Sequence, residues 1–364
     1  MMIRKLFASV LAMLMLSTVV SAHELSTSKE NDLYIQSREC PSDIIRYAEE
    51  NIADFVMSMD ETSEIDYSRI IVGQPFSYGD TAPNLYTFPI YQGDDIVFTL
   101  RVAYTPDGGI DGTISTFLVE ELNSFTGKTT PSTPLCLNII DNKLVANIGN
   151  KSATVFEFSA DESMPVFTCA NEVPLVTLNV AKDLGCNLSG QSTRNNSMYY
   201  IALSVTEVQP EGNRWCSAYV TAAILRTQIG GGFTAQQIMR YYYGSSVSSS
   251  QTLSANLAVA YMREVGGLTA ATYSSSKLSD SQLKTQISNE YPVYISMKNL
   301  SSSEGGYHAV ALRGYSDNLG KWSIWNPVNS NMACETYSYG GNYVSTTGNV
   351  FSYDADGRTI YNCH

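Results

Sequence analysis

Histidine is scarce in this chain, three residues in 364, and two of the three stand at or near its ends. His23 follows an expected signal-cleavage point and His364 is the last residue, so both are expected on mobile ends. Only His308 is left as an internal imidazole, the side chain that titrates near neutral pH. Closely paired cysteines are missing too: the seven thiols are scattered and lack the spacing of zinc ligands, so no metal and no cofactor is expected. Basic charge is short, with 22 Lys and Arg against 35 Asp and Glu, and an acidic surface repels nucleic acid and anionic lipid as partners. Beyond residue 22 no stretch approaches the roughly 20 apolar residues of a membrane span, so none is expected in the mature form.

What is present begins with an export pattern. Arg4 and Lys5 form a basic start, Leu6 to Val20 an apolar run, and Val20-Ser21-Ala22 ends on the small residues a signal peptidase accepts. Residues 1–22 are therefore expected to be a signal peptide and the protein to be secreted. Taking 22 from 364 leaves 342 residues, enough for two cores, and charge divides them unevenly. Residues 23–195 carry 25 acidic and 10 basic side chains, a net of −15, whereas residues 196–364 carry 10 of each. An acidic half covering a neutral one suits a removable cover. Seven cysteines in an oxidising compartment leave one thiol over if six pair. Setting Cys216 aside leaves four in the first half and two in the second, and Cys334–Cys363 is the bridge expected there, stapling the C-terminal tail.

Along the first half, Ser42 to Met59 places Ile44, Ile45, Tyr47, Ala48, Ile52, Phe55 and Val56 at near-helical spacing behind Pro41. Val97–Ala103 and Gly112–Glu120 flank the turn Pro106-Asp107-Gly108-Gly109, and Leu135–Ile140 and Lys143–Ile148 flank Asp141-Asn142, which predicts two hairpins. Strand-like runs follow at Ala153–Phe158 and Val173–Val180, so the expectation is one helix against an antiparallel sheet. Asn187 to Ser197, rich in Ser, Asn and Gly, has a linker's composition and marks the boundary. The second half reads as helices first, at Trp215–Thr227, Thr234–Tyr242, Ser254–Glu264 and Ser279–Asn289. Strands then follow at Val293–Met297, His308–Tyr315 and Trp322–Trp325.

Cys216 falls at the start of the first of these helices, beside backbone N–H groups and the positive end of the helix dipole, which favour thiolate over thiol. His308 opens a strand behind Gly305-Gly306, which leave room for a close approach. If one imidazole nitrogen faces the sulfur, the other needs an acceptor. Asn326, just past Trp322–Trp325, can orient the ring through its carboxamide oxygen, with the two tryptophans shielding that bond from water. Such a trio points to a cysteine hydrolase.

The segments Asn213-Arg214-Trp215-Cys216-Ser217-Ala218-Tyr219, Gln237-Ile238-Met239-Arg240, Tyr307-His308-Ala309-Val310 and Ile324-Trp325-Asn326-Pro327 resemble the staphopain-like branch of the papain-fold cysteine peptidases. The resemblance covers residues 196–364 and implies an α+β fold: a papain-like two-lobed catalytic domain, one lobe helical and one an antiparallel β-barrel-like sheet. Residues 23–195 would then be an α+β half-barrel-like propeptide that blocks the cleft as an intramolecular inhibitor. What it implies for function is a secreted endopeptidase made as a zymogen and acting on protein or peptide substrates. By the same carry-over Cys216 is the nucleophile, His308 the base and acid, and Asn326 the orienting group. Gln209 is the oxyanion donor, although it precedes Cys216 by seven positions where the family places six, and the loop must absorb the extra residue. Two rivals share the fold: a cell-wall amidase cutting muropeptides, and a binding module that has lost its chemistry.

Overall fold

The computed structural model describes residues 32–60, 65–79, 82–158, 174–186, 188, 198–210, 213–302, 306–328 and 334–364. The expected signal peptide, Cys169, Gly305 and, of the expected linker, residues 187 and 189–197 lie outside them.

The first half opens with β1 (Tyr34–Arg38) and helix α1 (Ser42–Met59), whose Ile44, Ala48, Ile52, Phe55 and Val56 form one buried face. Strands β2 (Ile70–Val72), β3 (Phe76–Tyr78), β4 (Ala82–Gln92), β5 (Asp95–Tyr104) and β6 (Ile110–Ser115) precede a short helix α2 (Val119–Phe125). Then come β7 (Leu135–Ile140), β8 (Lys143–Ile148), β9 (Lys151–Glu157) and β10 (Leu175–Asn179). Asp141 and Asn142 join β7 to β8 with φ of 48° and 62°, the two positive angles of a tight hairpin turn that such residues tolerate.

After β11 (Tyr199–Tyr200) the helices gather: α3 (Cys216–Ile229), α4 (Ala235–Tyr243) and α5 (Ala255–Glu264), with β12 (Thr272–Ser274) and α6 (Asp280–Ser288) behind them. The chain closes through β13 (Val293–Asn299), β14 (Tyr307–Ser316), β15 (Lys321–Trp325), β16 (Cys334–Ser338), β17 (Tyr343–Val344), β18 (Val350–Ser352), α7 (Tyr353–Asp356) and β19 (Arg358–Tyr361). This is a mixed α and β chain dominated by antiparallel pairing.

Two sheets organise these strands. The smaller runs β10-β1-β7-β8-β9, with β1 and β7 parallel. The larger runs β12-β19-β13-β14-β15-β16-β6-β5-β4-β2, so it passes without a break from second-half strands to first-half strands. The joint is short: Thr336 pairs with Ile114 and Tyr337 with Thr113. Helix α1 reinforces it, its Phe55 ring lying 3.8 Å below the ammonium of Lys321 on β15.

Two expectations need correction. The first half is more than one helix on one sheet: β1 leaves to build the smaller sheet, and the run expected as a strand to Glu120 ends at Ser115. There the chain turns through Leu118, at φ 64°, into α2. Second, no bridge joins Cys334 and Cys363. Cys363 is buried in the helical core with its thiol toward the Ile360 carbonyl, while Cys334 opens β16 opposite Trp325. The tail is held instead by backbone, since β19 is laddered between β13 and β12. Cys40, Cys136 and Cys186 are likewise unbridged.

Candidate active site

Helix α3 starts the site. Ala218, Ala222 and Ala223 keep its surface low, so β14 packs closely against it and every residue from Cys216 to Arg226 is buried. Its entry is built by local polar contacts: the Trp215 N–H donates to Asn213 Oδ1 at 2.8 Å, and the indole N–H donates to the Ser248 carbonyl at 3.1 Å. Cys216 is the first helical residue, in the turn whose backbone N–H groups have no carbonyl within the helix to bond. Its side chain is nearly covered, with 7% exposure. Below it the Tyr294 hydroxyl of β13 donates to Ser217 Oγ at 3.1 Å, and burial first, then the nearby Cys216 side chain, pushes that phenol's pKa up.

His308 stands second in β14 and is fully buried, with the Phe351 ring 5.4 Å from its own. Its Nε2 lies 2.9 Å from Asn326 Oδ1. A carboxamide oxygen only accepts, so Nε2 carries a proton and donates it to Asn326, which leaves Nδ1 as the nitrogen available for chemistry. That Nδ1 is buried and makes no hydrogen bond. The amide of Asn326 is fixed at both ends: Oδ1 also accepts from the Val328 N–H at 3.2 Å, while Nδ2 donates to the Tyr343 hydroxyl at 2.6 Å and to Glu335 Oε2 at 3.4 Å. Tyr343 in turn donates to Glu335 Oε2 at 2.6 Å.

The structure therefore joins His308 to Asn326 directly. It places Cys216 on a helix packed against the histidine's strand, in one core with Ala309 and Trp325, the neighbours of His308 and Asn326. Gln209 lies at the same end. Its backbone N–H donates to the Pro327 carbonyl at 2.7 Å, and its side-chain amide donates to the Asn213 carbonyl. The Asn213 N–H bonds back to the Pro210 carbonyl at 3.3 Å. Of the two tryptophans, Trp325 shares the core of Cys216, whereas Trp322 packs on the other side of β15 beside Tyr339 and Lys284.

Sequence reasoning missed Glu335, Tyr343 and, behind them, Arg101. Arg101 Nη2 lies 2.7 Å from Glu335 Oε1, and both side chains are fully buried. Burial alone would lower the guanidinium's pKa, but Glu335, Tyr343 and Tyr78 together outweigh it and hold the pKa above its ordinary value. One signal pointed there: Arg101 is the single charged residue in the apolar run Ile96 to Tyr104. Nothing around Glu335 marks it in the sequence.

Among the described residues no three metal-ligating side chains gather, and no helix is long and apolar enough to cross a membrane. No curated protein matches the chain. Residues 201–358, which hold Gln209, Cys216, His308 and Asn326, match the Peptidase_C39 like family, and this similarity indicates a cysteine peptidase, a hydrolase whose substrates are proteins or peptides.

Proposed function

We propose that the chain is the precursor of a secreted cysteine endopeptidase of the staphopain-like, papain-fold kind, in which Cys216, His308 and Asn326 hydrolyse peptide bonds through an acyl-enzyme. The observation that carries this reading is the state of His308: one nitrogen bonded to Asn326, the other bare and buried on the strand that packs against the helix of Cys216. An ordinary core histidine would have both nitrogens satisfied.

In the reaction Nδ1 takes the thiol proton, the sulfur attacks the carbonyl carbon, and the N–H of Cys216 holds the oxyanion. Gln209 joins it by turning its amide from the Asn213 carbonyl toward the crevice. His308 then protonates the leaving amine and activates the water that cleaves the thioester, while Asn326 keeps the ring in one tautomer throughout.

Residues 23–195 act as an intramolecular inhibitor on this reading. Its support is the sheet shared by both halves and the near-complete burial of Cys216 and His308. Cys216→Ala should abolish cleavage of unfolded protein and leave the secreted precursor uncut. Hydrolysis at the parent rate by that variant would refute the assignment.

A further inference from the structure

We propose, on the cysteine-peptidase reading above, that Arg101 is a positioning residue of the site in the precursor: while the first half is in place it sets, through Glu335, Tyr343 and Asn326, which nitrogen of His308 carries the proton. The hydrogen bonds between these residues form a chain with a direction. Paired with Arg101, Glu335 is a carboxylate and can only accept. The Tyr343 hydroxyl must then donate to it, which leaves the phenolic oxygen to accept from Asn326 Nδ2. With its nitrogen committed there, Asn326 turns its oxygen to His308 and accepts from Nε2–H, so the lone pair falls on Nδ1. Arg101 stands at the head of this chain, and the Val328 N–H, which also donates to Asn326 Oδ1, favours the same orientation of the amide.

The guanidinium is itself held rigidly. It donates through Nη1 to Ser115 Oγ at 2.8 Å, and through Nε and Nη2 to the Val344 carbonyl at 3.4 Å. The Val344 N–H donates to Thr113 Oγ1 at 2.9 Å, so β5 and β6 grip both backbone groups of the residue after Tyr343. The Tyr343 ring packs on Phe351, and Phe351 on the imidazole. Without the guanidinium a buried carboxylate takes up a proton and becomes a donor. The chain of bonds can then reverse, the Asn326 amide flips, and the proton moves to Nδ1.

The test uses the full chain carrying Cys216→Ala, so that it stays intact, with nitrogen-15-labelled histidine. Three histidines make long-range proton–nitrogen spectra at about pH 8, where imidazole is neutral, assignable to single rings. The expected result is Nε2–H at His308 with Arg101 present, loss of that pattern and appearance of Nδ1–H in Arg101→Met, and its retention in Arg101→Lys. An unchanged Nε2–H ring in Arg101→Met overturns the proposal. If that variant does not fold, Arg101→Met with Glu335→Gln leaves no unpaired buried charge, and its new amide can donate as well as accept; the same two outcomes decide. Peptide hydrolysis by the parent enzyme is measured separately. An active parent with an unmoved tautomer sinks this inference alone, whereas an inactive parent sinks the peptidase reading and this inference with it.

Discussion

At the scale of single residues, the thiols other than Cys216 are set apart by surroundings that keep them protonated. Burial, and then the charge of Glu49, pushes the Cys186 thiol up to about 11, and burial alone pushes Cys363 to about 12. Cys40 and Cys334 are raised by burial as well. Thiols so raised are almost wholly protonated near neutral pH and react slowly, whereas Cys216 stands at a helix start, on the helix that packs against the strand of His308. Once the first half has been removed, brief treatment with iodoacetamide at about pH 7 should therefore modify Cys216 ahead of Cys334 and Cys363. Peptide mapping reads the order, and equal labelling of Cys334 or Cys363 would count against an activated nucleophile. The bond between His308 and Asn326 could be read in the sequence because one internal imidazole and one well-placed carboxamide left little choice. Glu335 and Tyr343 could not, because their role depends on strands that meet only after folding.

Among the elements, the helices were the most legible, since their starts are written in side chains. Thr234 and Gln237 close a reciprocal capping box at α4, and Ser279 and Gln282 do the same at α6. Thr234→Ala should lower stability by about 1 kcal/mol, read from urea denaturation, while Thr234→Ser should cost little. The β7–β8 hairpin was equally plain, because Asp141 and Asn142 are residues that accept positive φ. Helix α2 was not: the bend before it puts Leu118 at φ 64° with no glycine to announce it, so β-branched and aromatic residues upstream carried the strand expectation too far. Strands β16 to β19 escaped notice for a different reason. They are two to five residues long, too short for alternation to show, and partners distant in sequence define them.

For the molecule as a whole, the seam between the halves is where charge and sheet meet. Lys321 bonds Ser338 Oγ at 2.8 Å above the Phe55 ring, and burial pushes its pKa down from 10.5 to about 8, against the weaker pull of Asp54 and Asp111. Because the folded value lies below the unfolded one, the unfolded chain holds more protons between them, and this residue's effect on stability becomes more favourable as pH rises through that window. Wild type should therefore gain on Lys321→Met between about pH 8 and 10, and a stability difference that stays constant across that range would speak against the buried ammonium. The same seam has a further consequence. If the first half departs, Thr336 and Tyr337 lose their ladder partners and β16 becomes an open border. Bare strand margins recruit whatever extended polypeptide is nearest, so the liberated enzyme would carry an adhesive rim, and its shelf life would turn on what settles there first.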